Sequence, residues 1–330
     1  MKDITFVIPM YNVEQYLEKC LNSISSQNLA DNTFEVIMVD DESPDNSLEK
    51  AKKLASQYPY IKIISQKNKG LGGARNTGIR HAVGKFILFL DADDWLLPST
   101  ISKLLQLANK NNLEILEFGA NIVSENNEII NSLSMSSHGE IYTGITYYSK
   151  IKYGGSACNK LYSIEFLKEN KLFFLDKIYG EDFEFNTRAF FYAKRMQAVN
   201  NICTAFLQSS NSITRNNSAT MKNKYLNDFH VILSSIKSFQ ALQSKATDPL
   251  TEAFFNERLT LVNINAFYMM FKNKYSYKRI DDYKSKLKKD NLFSVNYPVS
   301  HKQKNLFRKI FLKHFLLFRA TQTFRNLIKK

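Results

Sequence analysis

The sequence predicts an α/β protein: a Rossmann-like, mostly parallel sheet flanked by helices, with a mostly helical C-terminal extension. Three observations carry this. β-prone and helix-prone segments alternate through roughly the first 120 residues. Phe86-Ile-Leu-Phe-Leu90 is an apolar run of the length of a buried strand, and it ends in Asp91-Ala92-Asp93-Asp94. From about Tyr225 the apolar spacing turns helical, over 222–243, 248–272 and 276–289. The expected division is a domain at 1–220 and a helical region at 221–330, with no Pro- and Gly-rich linker between them.

Each element has a local reason. Thr5 to Pro9 is β-prone, and Pro9-Met-Tyr11-Asn12 breaks it. Val13, Leu17, Leu21 and Ile24 then follow a helical period. Phe34 to Val39 is the second strand and ends at Asp40-Asp41. Leu48, Ala51 and Leu54 mark a helix, and Ile61 to Ile64 a third strand. Lys69-Gly-Leu-Gly-Gly-Ala-Arg75-Asn-Thr-Gly78 grades into a helix and leads to the apolar run. Ile101, Leu104, Leu105 and Ala108 form the next helical face. Ile115 to Phe118 is a strand, 124–137 a loop or irregular hairpin, and Ala198 to Leu207 a later strand.

Composition narrows the class. Hydrophobic residues at 44% and charged residues at 23% argue against disorder. Cys20, Cys158 and Cys203 are far apart and form no paired-thiol or zinc motif, which fits a reducing compartment. The start, Met1-Lys-Asp, runs straight into a strand pattern without a signal-peptide pattern, and no stretch reaches about 18 apolar residues. The net charge is +14. Residues 291–330 contribute nine Lys or Arg and no Asp or Glu, so the basic excess lies largely in the tail.

The polar residues gather where strands end. In a parallel sheet Asp40-Asp41 and Asp91-Ala92-Asp93 share one edge, where open α/β sheets bind ligands. One pair can accept hydrogen bonds from a sugar or base, and the other can hold a hard cation beside phosphate. A turn with helix-capping aspartates is the alternative. Gly70, Gly72 and Gly73, bracketed by Lys69 and Arg75, permit close backbone approach to a ligand or simply make a tight loop. Neither a dinucleotide fingerprint nor a Gly-Lys-Ser/Thr loop is present. Glu181-Asp182 opens a helix: it either caps that helix or supplies Asp182 as a base for an incoming hydroxyl. His81, His138 and His230 have no partner motif, and Trp95 suits support of the acidic loop.

Val7-Ile-Pro-Met-Tyr-Asn12, Val39-Asp-Asp-Glu-Ser-Pro-Asp45, Gly73-Ala-Arg-Asn-Thr-Gly78 and Leu90-Asp-Ala-Asp-Asp94 occur in one order at compatible spacing. Together they resemble the family 2 inverting glycosyltransferases of the GT-A fold, of bacterial polysaccharide or glycoconjugate type. The resemblance implies transfer of a hexose or N-acetylhexosamine from a UDP-sugar to a hydroxyl of a glycan or lipid-linked glycan, with Mn2+ or Mg2+. It places Pro9, Tyr11, Glu14, Asp40, Asp41, Lys69, Arg75, Asp91, Ala92 and Ser212 near the nucleotide sugar. Asp93 is then the main metal ligand, with Asp91 beside it. Asp182 is the base and Glu181 its acceptor-side partner. Asn159-Lys160-Leu-Tyr162 resembles an element shaping the acceptor side, and Ser209 to Thr214 a segment closing over the diphosphate. Glu42 stands where relatives commonly have glycine, so it must tolerate that turn's dihedral. No Gln-x-x-Arg-Trp element of processive synthases is evident. The non-enzyme alternative is an inactive glycan- or membrane-binding module on the same fold.

In the tail, Leu306, Phe307, Ile310, Phe311, Phe315 and Phe318 recur at helical spacing, interleaved with Arg308, Lys309, Lys313 and Arg319. This predicts a basic amphipathic element at 300–330 that lies on an anionic membrane surface or packs against protein. The expected setting is cytoplasmic, peripheral on the inner face of the membrane, with a lipid-linked oligosaccharide or cell-surface glycan as partner and homo-oligomers allowed. The tail has no nucleic-acid reading motif.

Overall fold

The computed structural model describes residues 2–151, 155–209, 219–243 and 248–327. The chain divides into two compact units, Met1–Asn216 and Asn217–Lys330. In the first, β1 (Lys2–Met10), β2 (Phe34–Asp40), β3 (Ile61–Ser65) and β4 (Gly84–Phe89) pair in parallel in the order β3-β2-β1-β4. Helices α1 (Leu17–Ser25), α2 (Ser47–Ala55) and α3 (Gly70–His81) connect them. Then come β5 (Trp95–Leu96), α4 (Ile101–Lys110), β6 (Ile115–Val123), β7 (Ile129–Leu133), α5 (Gly144–Ile151) and β8 (Lys160–Ser163). The unit closes with α6 (Ile164–Glu169), α7 (Glu181–Tyr192) and β9 (Met196–Leu207).

Among the described residues the nine strands form one sheet, and it is mixed rather than mostly parallel in its pairing. β8 inserts between β4 and β6 and runs against both, while β5 runs against β9 and β7 against β6. Strands β6 and β9 still point the same way as β1 to β4. The helix–strand alternation reports chain direction correctly. It does not report that the short strand Lys160–Ser163 enters the sheet from the opposite end.

The central strands are buried on both faces, and successive side chains alternate between them. Ile4, Phe6, Ile8, Val36, Met38, Phe86 and Leu88 face α1 and α4 through Leu17, Leu21, Ile24, Ile101 and Leu104. On the other face Phe89 meets Tyr162, Phe174 and Phe185. Pro9 fits β1 because the β1–β4 ladder ends at Val7↔Phe89 and Leu90 N–H already reaches the Val7 carbonyl. Its missing N–H falls beyond that last rung.

The glycine-rich stretch differs from expectation. The helix begins at Gly70 itself (φ 75°), and what approaches these glycines is the chain's own segment 174–177. A Cβ on Gly72 would lie 2.3 Å from the Leu175 carbonyl oxygen, and one on Gly70 2.9 Å from Lys177 Cα. The glycines thus seat the loop that leads into α7.

The second unit comprises α8 (Ala219–Leu242), α9 (Pro249–Lys272), α10 (Tyr277–Lys289), α11 (Lys302–Phe307), a π-helical turn at Arg308–Leu312 and α12 (Phe315–Leu327). The aromatic face of the tail is spent inside this unit. Phe307, Phe311 and Phe318 pack on Phe271, and Phe315 and Phe318 on Phe267. Phe307 and Phe318 are buried, so of the two uses expected for the tail's apolar face these side chains take packing against protein. Leu306, Ile310, Leu316 and Leu317 remain exposed. Among the described residues no helix is long and apolar enough to cross a membrane.

Gly72→Ala separates the two views of the glycine stretch. Helix propensity alone would make it stabilising by about 1 kcal/mol. The clash with backbone at Leu175 makes it destabilising by about 1–3 kcal/mol, read as a lower urea midpoint.

Candidate active site

The parallel strands deliver their following residues to one edge. Asp40 ends β2, Tyr11 follows β1 and Asp91 follows β4. At that edge the Arg75 guanidinium, 1% exposed, gathers three carboxylates. Nη1 donates to Glu181 Oε1 at 2.9 Å and to Asp182 Oδ1 at 2.6 Å, and Nη2 to Asp91 Oδ1 at 2.8 Å. Nη2 also lies 3.4 Å from Cys158 Sγ, and the guanidinium sits 5.3 Å from the centre of the Phe174 ring. Arg75 comes from α3, Asp91 from the end of β4, and the acidic pair from the first turn of α7, which follows Gly180 at φ 84°.

The three acids are not equivalent. The Glu181 side chain is 8% exposed and that of Asp182 21%. Burial, and then the charge of Asp182, push the Glu181 carboxyl up to about 7, against the pull of Arg75. Glu181 therefore faces the guanidinium from within, and Asp182 is the more open of the pair. Asp182 Oδ2 accepts from the backbone N–H of Ala157 at 2.8 Å. Gly180 occupies the N-cap position of α7, and Glu181 and Asp182 are its first two helical residues, so neither is the N-cap.

After β4, Asp91 to Asp94 form a turn closed by Asp94 N–H to the Asp91 carbonyl, 2.9 Å. Asp94 is buried and accepts from Leu207 N–H at 2.8 Å, so it pins the end of β9. Asp93 is half-buried, and no other described residue donates to its carboxylate. Burial and the neighbouring Asp91 raise its pKa to about 6. Ala92 is buried in the turn. Trp95, next to this turn, is half-buried beneath Lys19 Nζ, which lies 3.1 Å from the ring centre.

At β2, Asp41 Oδ1 accepts from Gln66 Nε2 (2.7 Å) and Lys69 N–H (2.8 Å), while Asp40 Oδ1 accepts from Ser43 N–H at 3.3 Å. Glu42 has φ 64°, the left-handed dihedral its position requires, and takes Asn68 N–H at 3.1 Å. Asp45 takes Glu14 N–H at 3.0 Å, so the backbone of Glu14 is held while its side chain stays half-buried. Tyr11 is 52% exposed, and Lys69 is exposed. Ser212 lies outside the described residues. Asn159, Lys160 and Tyr162 have no exposed surface, so they do not touch an acceptor directly.

Sequence reasoning missed Gln66, Ala157 and Cys158. Gln66 belongs to no motif. Ala157 acts through its main chain, which side-chain pattern reading cannot register.

Residues 5–170 match the family model "Glycosyl transferase family 2". The chain belongs to glycosyl transferase family 2. It is 31% identical over 217 residues to the uncharacterized glycosyltransferase EpsJ of Bacillus subtilis, covering 64% of this chain and 62% of that protein. It is 24% identical over 280 residues to the poly(ribitol-phosphate) beta-N-acetylglucosaminyltransferase TarS of Staphylococcus aureus, covering 82% of this chain and 47% of TarS. The matched region thus spans less than two thirds of either relative's length. Among solved structures, TarS 1–349 in complex with UDP-GlcNAc superposes with a TM-score of 0.63 at 23% identity, covering 82% of this chain and 73% of that one. The mannosyltransferase PcManGT of Pyrobaculum calidifontis, with GDP-Man and Mn2+, gives 0.52 at 14% identity, covering 82% and 73%. The fold is GT-A: a mixed sheet flanked by helices with a mostly helical C-terminal region.

Arg75→Met leaves three carboxylates around an apolar stem. Breaking a buried ion pair on one side typically costs about 3–5 kcal/mol, so a fall of that order is expected in a denaturant titration. Glu42→Gly acts the other way. It relieves a left-handed dihedral worth roughly 1–2 kcal/mol, less the Asn68 contact, and a small rise in melting temperature is expected.

Proposed function

We propose that this chain is an inverting glycosyltransferase that moves a hexose or N-acetylhexosamine from a UDP-sugar to a hydroxyl of a glycan or lipid-linked glycan. The observation that carries the reading is the gathering of Asp91, Glu181 and Asp182 on one buried guanidinium, at the sheet edge where Asp40 and Asp41 also end. It is supported by family membership and by TarS, whose name specifies N-acetylglucosaminyl transfer and whose structure holds UDP-GlcNAc.

In this reading Asp182 takes the proton of the acceptor hydroxyl as its oxygen bonds to the anomeric carbon and the bond to the diphosphate breaks. Attack opposite to departure inverts the configuration. Asp182 suits the role because it is the open member of the pair, with both oxygens fixed in direction by Arg75 and Ala157. Glu181 acts on Arg75 rather than on the acceptor. Pro9, Tyr11, Glu14, Asp40, Asp41 and Lys69 border the nucleotide, and Ser212 belongs to the segment that would close on the diphosphate.

Among the described residues no group of three or more His, Cys, Asp or Glu is arranged to hold a metal ion. Among the described residues no other side chain donates to Asp93, and burial with the adjacent Asp91 raises its pKa to about 6. That two-carboxylate set fits Mn2+ or Mg2+, which take one or two carboxylates and leave further positions to water and phosphate. Asp93 and Asp91 would hold the ion, which would neutralise charge on the departing diphosphate.

The tail adds a location. Leu306, Ile310, Leu316 and Leu317 are exposed beside the exposed Lys309 and Lys313, in a stretch without acidic residues. An anionic bilayer on the cytoplasmic face satisfies both features, and a lipid-linked acceptor would be presented there.

Asp182→Asn should lower kcat by about 100-fold or more and leave UDP binding intact in calorimetry; turnover near wild type would refute the mechanism. Chelation should stop transfer and Mn2+ restore it, with Asp93→Asn raising the metal concentration required. Deleting residues 300–330 would remove Phe307 and Phe318 from the helical core, so the membrane test uses glutamine at Leu306, Ile310, Leu316 and Leu317. Loss of flotation with anionic liposomes is expected, and unchanged flotation would reject the surface.

A further inference from the structure

A buried ion pair lies behind the acidic pair. Lys160 and Glu117 have no exposed surface, and Lys160 Nζ lies 3.0 Å from Glu117 Oε1. The second Glu117 oxygen accepts from the hydroxyl of Tyr147. Replacing such a pair by apolar residues is often neutral or stabilising, so stability alone is a weak reason for it. Its other contacts show what it holds. Lys160 Nζ also donates to the Ser156 carbonyl oxygen at 2.6 Å and to Asn159 Oδ1 at 3.1 Å.

The Ser156 carbonyl and the Ala157 N–H belong to one peptide unit, which is planar and rigid. One end of that plane is gripped by the buried ammonium. The other end donates to Asp182 Oδ2 at 2.8 Å. The residues beside it have their own restraints: Asn186 Nδ2 holds the Gly155 carbonyl at 3.1 Å, and Cys158 N–H bonds Ser156 Oγ at 3.0 Å. A charged donor at the carbonyl also polarises the amide and strengthens its N–H as a donor.

We propose that Lys160, charge-balanced by Glu117, is a positioning residue for Asp182, acting through the Ser156–Ala157 peptide plane to fix which face of the carboxylate meets the acceptor hydroxyl. This rests on the glycosyl-transfer reading with Asp182 as base. It gives a role to two fully buried charges that touch neither donor nor acceptor.

The test is the double variant Glu117→Gln/Lys160→Met, which removes the pair without stranding a charge, measured beside Asp182→Asn. The double variant should bind UDP and show a donor KM within about twofold of wild type, while kcat falls about tenfold or more. A second variant reaches the same link and leaves every side chain in place: an ester in place of the 156–157 amide, made by incorporating lactic acid at position 157, deletes the N–H to Asp182 and weakens the Ser156 carbonyl as the acceptor for Lys160. It should lower kcat comparably, and combining the two should not multiply their effects, since both act through one peptide. If the double variant folds and turns over like wild type while Asp182→Asn is inactive, the positioning role is wrong and the base assignment stands. If the double variant does not fold, an ester variant with wild-type kcat overturns the proposal. If Asp182→Asn is itself active, the reading on which the proposal rests has failed.

Discussion

Arg75 stays charged while almost wholly removed from water, and that condition organises the first unit. Burial opposes the charge, but Asp182 and Asp91 outweigh it and drive the guanidinium pKa well above its ordinary value. A lone cation in such a place would be expelled or would draw water in. The chain instead brings acids from the end of β4 and the start of α7 onto a residue of α3. Three carboxylates on one guanidinium leave surplus negative charge. Glu181 relieves part of it by keeping its proton up to about pH 7. Burial and the neighbouring Asp91 raise the Asp93 carboxyl to about 6, and among the described residues no other side chain donates to it.

The same logic explains why the site needs its loops fixed. Asp94 spends its carboxylate on Leu207 N–H, Asp41 on Gln66 and Lys69 N–H, and Asp45 on Glu14 N–H. Each is an acid used to tie down backbone at a strand end. The left-handed Glu42 is strain held in that framework, and its side chain recovers some of the loss by accepting from Asn68 N–H. Aspartates that hold backbone therefore stand beside those proposed to act on substrate, and residue type alone does not sort them.

Much of this was legible from sequence. The four parallel strands, the acidic strand ends and the helices at 222–243, 248–272 and 276–289 follow from local pattern, and the forced dihedral at Glu42 from the family resemblance, in which glycine is common there. The rest depends on partners distant in the chain. Gly72 reads equally well as a ligand cradle or a packing contact until Leu175 is seen above it. The tail phenylalanines have the spacing of an interfacial helix, but that spacing is identical for a helix that buries its face on Phe267 and Phe271. Lys160 is a polar residue in a short strand, and nothing nearby in the sequence announces Glu117, which lies on a strand 43 positions earlier.

The strand the alternation pattern did not reveal is the one that completes the site. β8 runs against β4, with Leu161 opposite Leu88 and Ser163 opposite Phe86. Its beginning therefore lies at the edge where the parallel strands end. A parallel strand in that position would carry the segment 155–160 to the far side of the sheet, away from Asp91 and α7. Reversing one short strand brings the Ala157 amide and the Cys158 sulfur to the acidic cluster, and the Lys160 ammonium to the Ser156 carbonyl next to it, without any long loop. An apolar side chain could fill the space behind Asp182, but it could not set the direction of a carboxylate oxygen. Only a fixed donor does that, and the antiparallel entry of β8 is what puts the donor there.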